Sequence, residues 1–268
     1  MTDTSTNARQ REVLRASAAY ARLAHQVIDA IEATQMDAID EAIALCAEKI
    51  ARGGLVHLFG SGHSRIAVEE MFPRYGSFPG FHPIVELALS NYHQVLGTNG
   101  LQQSMFIENV EGLGATILRN FQLDPELDLM IVISSGGTNV VPIEVAAEAR
   151  RAGLTVIGIT SLEHGRQSKP RRTDGSRLAD TVDLLIDTCT PPGDAGVWID
   201  GLDVPVGPLS TLATVTIINM IKVGVAEELV ARGIRPNVIT SSLIVGPERS
   251  AQLFDACFAD YRLRRQRL

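Results

Sequence analysis

Cysteine is scarce in this chain of 268 residues, which contains Cys46, Cys189 and Cys257 and no others. Because their number is odd and they lie far apart, they predict neither a disulfide framework nor a Cys-x-x-Cys metal pair. Unpaired thiols are typical of a reducing compartment, so we expect a cytoplasmic protein. With 45% hydrophobic residues, the chain is long enough to build a substantial core without cross-links.

Basic residues are also few, since the chain has 24 Lys and Arg residues and 31 Asp and Glu residues. The net charge of −7 and the pI near 5.4 argue against a nucleic-acid partner, because neutralising phosphates requires a basic face. One basic run, residues 262–267, interrupts this pattern. We interpret it as a solvated terminal helix or tail.

Long hydrophobic runs are missing as well. No apolar stretch approaches the length of a membrane-spanning helix, about 20 residues, without a charge. Residues 1–10 are polar and lack the apolar centre of a signal peptide. We therefore expect no membrane partner.

The chain does contain a repeated switch between the apolar periods of helices and strands. Two amphipathic helices are predicted over residues 13–31 and 39–50. Strands then alternate with helices: the strands are predicted at 55–59, 83–87, 129–134, 155–160 and 184–187, and the helices at 64–71, 140–152 and 211–231. This order predicts an α/β fold, a three-layer doubly wound parallel sheet with an N-terminal helix pair, whose ligands lie beyond the carboxyl ends of the strands.

Two short turns rich in glycine and serine fall at those carboxyl ends, over residues 60–64 and 134–139. Each precedes a predicted helix, so hydroxyls meet the unpaired backbone N–H groups of a helix start, a combination that suits phosphate. We expect the two turns to hold one phosphate between them. The residues predicted to bind it are Gly60, Ser61, Gly62, Ser64, Ser134, Ser135, Gly136, Gly137 and Asn139.

The turns resemble the two signature turns of the SIS (sugar isomerase) domain family, Gly-x-Gly-x-Ser after the first strand and Ser-x-Ser-Gly-x-Thr after a later one. The first turn matches at Gly60, Gly62 and Ser64. Residues 205–211, which precede a long apolar helix, add to the likeness, and it covers roughly residues 37–252. The resemblance implies a flavodoxin-like SIS fold and a small-molecule sugar phosphate as ligand.

The second turn departs from the family pattern. Residues 149–153 resemble the family's Ala-Lys-x-x-Gly helix end, and counting back from them gives Ser134 the first serine position, Gly136 the second and Asn139 the threonine position. One hydroxyl of the usual phosphate nest is therefore missing, and an amide replaces another. We expect looser phosphate binding or a different bound group.

The resemblance divides the chain into an N-terminal tail and packing helix (1–36), a SIS phosphosugar-binding domain (37–252) and a C-terminal helix or basic tail (253–268). No strand separates the two leading helices, so they pack either across a subunit neighbour or as a cap on one sheet face. SIS proteins commonly build their pockets at subunit interfaces. The resemblance therefore implies a homodimer or a higher homo-oligomer.

Isomerisation of a sugar phosphate requires a base that removes a proton next to the carbonyl and an acid that moves protons between oxygens. His63, Ala67, Glu70 and Arg74 follow at spacings of four, three and four, which predicts a shared helix face on the pocket side. Many SIS enzymes carry a functional acidic or histidine side chain at the position of Glu70. We expect Glu70 as base and His63 as acid; the alternatives are a solvated Glu70–Arg74 pair and a His63 that caps the helix start.

Other carboxylates remain candidates for the base. Glu69 stands next to Glu70, and Glu86 ends a short apolar run near the predicted strand edge. Glu108 and Glu111 precede another helix, where acidic residues often only complement the helix dipole. Glu111 remains a candidate for the base because etherase-type SIS enzymes use a second carboxylate from a comparable region.

No metal or other cofactor is expected. Relatives that isomerise heptose phosphates hold zinc with His and Glu at positions that Glu70 and Arg74 occupy here, and an arginine cannot ligate zinc. No paired ligand spacing occurs among His25, His57, His82, His93 and His164.

Two further segments leave predicted strands on the ligand side. Residues 160–172 contain His164 and several Lys and Arg residues, which suit either a loop that closes over an anionic sugar or solvent-exposed charge. Residues 191–194, Pro-Pro-Gly-Asp, predict a rigid turn in the pocket wall.

Three functions therefore stay open: an aldose–ketose isomerase of sugar phosphates or amino-sugar phosphates, a phosphosugar-binding regulator without turnover, and an amino-sugar phosphate lyase or etherase. Regulators of this superfamily usually carry a DNA-binding helix-turn-helix module ahead of the SIS domain. Residues 1–36 are too few and too weakly basic for one, which favours an enzyme.

Overall fold

The computed structural model of the protein describes residues 4–90, 100–266 and 268, with side chains from residue 15 onward. Of the residues named above, His93, Arg267 and residues 1–3 lie outside the described ones, as does the side chain of Val13.

Five parallel strands form a central sheet in the order β2-β1-β3-β4-β5. In chain order the strands are β1 Val56–Gly60, β2 Phe81–Ile84, β3 Leu129–Ile133, β4 Thr155–Thr160 and β5 Leu184–Asp187. Along β3, Leu129 and Ile131 belong to one buried apolar cluster, whereas Met130 and Val132 belong to another. The two clusters lie on opposite faces, because side chains of a strand alternate. Helices therefore cover both faces, as such apolar parallel strands require.

The described helices are α1 Thr4–Thr34, α2 Met36–Ala51, α3 Arg65–Met71, α4 Leu87–Ser90, α5 Gly100–Ile107, α6 Leu113–Leu118, α7 Val140–Arg151, α8 Leu162–Gln167, α9 Ser210–Ala231, α10 Ser242–Val245 and α11 Pro247–Arg265. Side chains of α1, α2, α3, α9 and α11 share one apolar cluster with the sheet, and those of α6 and α7 share the other. The predicted three-layer α/β fold is confirmed.

The N-terminal helix pair packs on the same core as the rest of the chain. Val27 and Ile31 of α1 and Ile39 and Cys46 of α2 are buried in the cluster that contains one face of the sheet. The described residues of the helix pair therefore cover one face of the sheet.

The strand expected at 83–87 is β2, and it lies earlier in the chain, at Phe81–Ile84. It pairs with β1 through Phe59 and Ile84. The chain then leaves the sheet, because the carboxylate of Glu86 accepts a hydrogen bond of 2.8 Å from the backbone N–H of Leu89 and begins α4.

One feature after the central sheet was not predicted. A short antiparallel hairpin joins β6 Ala195–Val197 to β7 Val206–Pro208, and three residues are too few to show a strand period. Residues 262–265 of the basic run, which was expected as a helix or a tail, are helical as part of α11, where Arg264 donates to the backbone oxygens of Ile50 (2.9 Å) and Gly54 (3.0 Å). Arg264 thus ties the last helix to the start of the sheet.

Candidate functional site

A cavity of about 310 Å³ opens at the carboxyl ends of β1 and β3. Both glycine-serine turns contribute to its wall, so the structure brings together two segments about 70 residues apart in the sequence, as expected for parallel strands. The lining includes these residues of the turns: Ser61, Gly62, His63, Ser64, Ser134, Ser135, Gly136 and Asn139. Their binding of a ligand stays a prediction.

The first turn requires its two glycines for different reasons. A Cβ on Gly60 would lie 2.8 Å from the backbone carbonyl carbon of Ser64, so only glycine lets the turn close this tightly. Gly62 has a positive φ of 58°, in the region that favours glycine. Ser61 and Ser64 are thereby held at the cavity wall.

The second turn is packed against the end of β4 and against α8. A Cβ on Gly136 would lie 2.9 Å from the ring of His164, and a Cβ on Gly137 would lie 2.8 Å from Oγ1 of Thr160. The hydroxyl of Ser134 accepts a hydrogen bond of 3.2 Å from the backbone N–H of Gly137. The turn is therefore compact and preorganised, with Asn139 at the N-cap position of α7.

Glu108 lines this cavity, although its place before a helix in the sequence favoured a helix-dipole role for it. Its side chain is buried (8% exposed) and accepts a hydrogen bond of 2.9 Å from the hydroxyl of Ser61. Its backbone oxygen accepts from the N–H of Val141 in the first turn of α7 (2.9 Å). Glu108 therefore joins the first glycine-serine turn to the helix that follows the second.

Burial raises the pKa of Glu108 above the usual range of a glutamate, although the hydrogen bond from Ser61, the charge of Arg171 and a hydrogen bond from Asn139 act against the rise. A carboxyl group with a raised pKa in a cavity is a candidate acid or base. The residues around Glu108 in the sequence carried no pattern that distinguished it from Glu111.

Glu70 does not line this cavity. It lies in a separate groove of about 520 Å³ between α3 and α11, beside Tyr75 and Phe258. Its carboxylate is bound by Arg74 and by Nδ2 of Asn219 (3.1 Å). Burial would raise the pKa of Glu70, but the hydrogen bonds from Arg74 and Asn219 outweigh it and lower this pKa below its usual value.

His63 and Glu70 do not face the same space. His63 belongs to a 3-10 turn, Gly62–Ser64, and lines the cavity. Glu70 belongs to α3, which begins at Arg65, and lies in the groove. The expected base and the expected acid are therefore not brought together at the cavity.

The other carboxylate candidates also lie away from the cavity wall. Glu69 is in the groove with Glu70, 3.5 Å from Arg65, and Glu86 caps α4. Glu111 accepts hydrogen bonds from the backbone N–H (2.9 Å) and the hydroxyl (3.3 Å) of Thr173. Each of these three carboxylates makes a structural contact.

The opposite wall of the cavity is organised by Asp194, which has a positive φ of 71°. Its carboxylate accepts hydrogen bonds from the backbone N–H groups of Leu209 (2.9 Å) and Ser210 (2.6 Å) and from the Ser210 hydroxyl (2.8 Å). These bonds close the base of the β6–β7 hairpin and fix the start of α9. Thr211 and Thr214 of α9 complete this wall.

Among the described residues, no three His, Cys, Asp or Glu side chains are arranged to hold a metal ion. The part of the chain that the structure describes also contains no helix long and apolar enough to cross a membrane.

The fold and the two glycine-serine turns define the class of the protein. The profile of the SIS domain matches residues 19–161, and the chain belongs to the SIS domain family. Within it, the chain is 34% identical over 228 residues to a UPF0309 protein of Thermoanaerobacter pseudethanolicus, covering 84% of this chain and 90% of that protein. It is 36% identical over 220 residues to a UPF0309 protein of Listeria monocytogenes, covering 82% and 85%. The chain is a member of the UPF0309 family.

Two solved structures share the fold at low sequence identity. The phosphoheptose isomerase of Neisseria gonorrhoeae superposes with a TM-score of 0.51 and 13% identity, covering 80% of this chain and 99% of that one. A phosphoheptose isomerase of Francisella tularensis gives a TM-score of 0.50 and 14% identity, covering 80% and 98%.

Proposed function

We propose that the cavity binds a sugar phosphate or amino-sugar phosphate and that the protein interconverts the aldose and ketose forms of this ligand. The observation that carries the proposal is the buried carboxylate of Glu108 beside the two glycine-serine turns. In this proposal the turns hold the phosphate and the carboxylate faces the sugar carbons.

The turns supply what a phosphate requires. Serine hydroxyls and the backbone N–H groups that precede α3 and α7 are hydrogen-bond donors, and the start of α7 adds the positive end of a helix dipole. The shared fold of two phosphoheptose isomerases supports a phosphorylated sugar as the ligand class.

Glu108 takes the role of the base in place of Glu70. In its ionised form it accepts the proton from the carbon next to the carbonyl and returns it to the neighbouring carbon. The raised pKa makes it a stronger base than an ordinary carboxylate, and the hydrogen bond that it accepts from the Ser61 hydroxyl orients it. His63, exposed at the cavity wall, supplies the acid that moves protons between the sugar oxygens.

We also propose that the chain acts as a homo-oligomer in the cytoplasm. Helix α5 contributes Leu101 and Met105 to the cavity wall and leaves Phe106 73% exposed, so an apolar surface borders the site. The three free cysteines suit a reducing compartment. Light scattering on the purified protein measures the oligomeric state directly; a monomer at micromolar concentration would contradict this proposal.

Binding is tested first. Replacing Ser64 and Ser134 together by alanine should weaken binding of sugar phosphates by about 2–4 kcal/mol, because each lost donor to a charged group is worth roughly 1.5–3 kcal/mol and the two are coupled. Ser242→Ala, an exposed serine of α10, is the matched control. Unchanged calorimetric affinity in the double variant would put the ligand elsewhere.

Turnover is tested by incubating the protein in heavy water with a panel of aldose phosphates and amino-sugar phosphates. An isomerase introduces deuterium at the carbon next to the carbonyl, which NMR detects. If members of the panel bind tightly and none exchanges or converts, the protein is a binding-only regulator instead.

A further inference from the structure

The charge of the cavity wall does not suit an anionic ligand by itself. Its described lining contains two carboxylates, Glu108 and Asp194, and no lysine or arginine. A phosphate dianion would therefore meet negative side chains with only backbone dipoles, hydroxyls and His63 in compensation. A cation from a neighbouring segment would add the positive charge that these donors lack.

Residues 168–177, which we call the strap, follow α8. The strap is anchored at its centre, where the N–H and hydroxyl of Thr173 donate to Glu111. Immediately after it, the N–H of Leu178 donates 2.9 Å to the backbone oxygen of Gly137, inside the second glycine-serine turn. The strap is thus tied to both segments that carry the site.

Most arginines near the strap are already occupied. Arg172 binds Asp174 (2.7 Å) and lies 4.0 Å from Glu144, and Arg177 donates to the backbone oxygens of Gly165 and Ser168 (both 3.1 Å).

Arg65, on the first turn of α3, is also held, by the backbone oxygen of Gly62 (3.3 Å) and by Glu69 (3.5 Å). Arg171 differs from all of these. It is exposed, it forms no ion pair with another described residue, and its charge acts on Glu108 in the cavity wall.

We propose that Arg171 is a ligand-binding residue whose guanidinium group binds the phosphate of the ligand, so that the strap supplies the cation that the cavity wall lacks. The inference rests on the proposed function, since it assumes a phosphorylated ligand. A planar guanidinium suits this role because it binds phosphate oxygens in pairs. The anchors hold the strap against Glu111, three residues after Glu108, and against Gly137 of the second glycine-serine turn.

Titration calorimetry with inorganic phosphate at low ionic strength tests the inference in the full-length protein. Arg171→Ala is expected to weaken phosphate binding about tenfold or more, and Arg171→Lys less than that. The matched control is Arg151→Ala, because Arg151 is an exposed arginine at the C-terminal end of α7, away from the second glycine-serine turn, and is paired with Glu148 at 2.6 Å. It removes the same charge and should change affinity less than about twofold.

Equal weakening in the Arg171 and Arg151 variants would show a general effect of net charge and overturn the inference. So would unchanged binding in Arg171→Ala while the Ser64 and Ser134 double variant loses affinity, a result that leaves the proposed function intact. If the unaltered protein bound neither inorganic phosphate nor any sugar phosphate, the proposed function itself would fail, and the role of Arg171 with it.

Discussion

The cavity and the groove each contain a partly buried glutamate, and the two glutamates meet opposite environments. Glu108 has one hydroxyl donor and little solvent, so burial raises its pKa. Glu70 is bound by Arg74 and Asn219, and its pKa falls. The same side chain is thus kept ready for proton transfer in one place and held as a fixed anion in the other.

Lys222 reinforces this difference on the groove side. It is only 4% exposed, and its ammonium group donates to the backbone oxygen of Glu70 (2.7 Å) and to Oδ1 of Asn219 (3.1 Å). A buried lysine with satisfied donors connects α3 to α9. Glu70, Arg74, Asn219 and Lys222 therefore form a structural hydrogen-bond network. The cavity, in contrast, has open space beside the carboxylate of Glu108.

The largest expected effect distinguishes the two glutamates directly. Glu108→Gln should reduce turnover, or deuterium exchange, by roughly 10²–10⁴-fold with little change in phosphate affinity, because it removes the base and keeps the shape. Glu70→Gln is the matched control and should stay within about threefold of the unaltered protein. Equal losses of turnover in the two variants would contradict the different roles of the two glutamates.

The pH dependence of the rate sharpens the same point. Since the base must be ionised, the rate should rise with pH through the pKa of Glu108, which lies above the usual range of a glutamate. A rate already at its plateau below pH 4 would contradict the role of Glu108.

An intermediate effect on stability is expected in the groove. Lys222→Met keeps a long side chain but leaves the backbone oxygen of Glu70 without its donor, so the free energy of unfolding should fall by about 1–3 kcal/mol. Urea denaturation measures this change. Lys49→Met, at a more exposed lysine that also donates to two backbone oxygens, is the control and should cost less. Phosphate affinity should be unchanged in both; a loss in Lys222→Met alone would mean that the groove takes part in binding.

The smallest effect concerns the strap and its anchor. Hydrogen bonds from Thr173 lower the pKa of Glu111, so the anchor is present above the ordinary glutamate pKa and is lost as pH falls through the lowered value. Glu111→Gln should speed hydrogen exchange of residues 168–176 at neutral pH without lowering overall stability measurably. Glu163→Gln, in the exposed pair with Arg166, is the comparison variant. Equal exchange in the two variants would show that Glu111 does not hold the strap.

Local sequence patterns predicted much of the fold and the two glycine-serine turns of the cavity wall. The strands at Thr155–Thr160 and Leu184–Asp187 lie where the apolar runs placed them, because buried parallel strands are continuous apolar segments. The two glycine-serine turns were predictable because glycine is required where neighbouring atoms leave no room for a Cβ, so their glycines are visible in the sequence. Parallel strands then bring such turns to one edge of the sheet.

Packing alone decided which carboxylate reaches the cavity. His63 precedes α3 and lines the cavity, whereas Glu70 of α3 is held in the groove by Arg74 and Asn219. Helical spacing in the sequence does not show which space each of these side chains enters. Glu108 enters the wall through contacts with Ser61 and Val141, partners 47 and 33 residues away in the chain. A carboxylate's burial and its pKa depend on such distant neighbours, so they follow from the folded arrangement and not from the residues beside it.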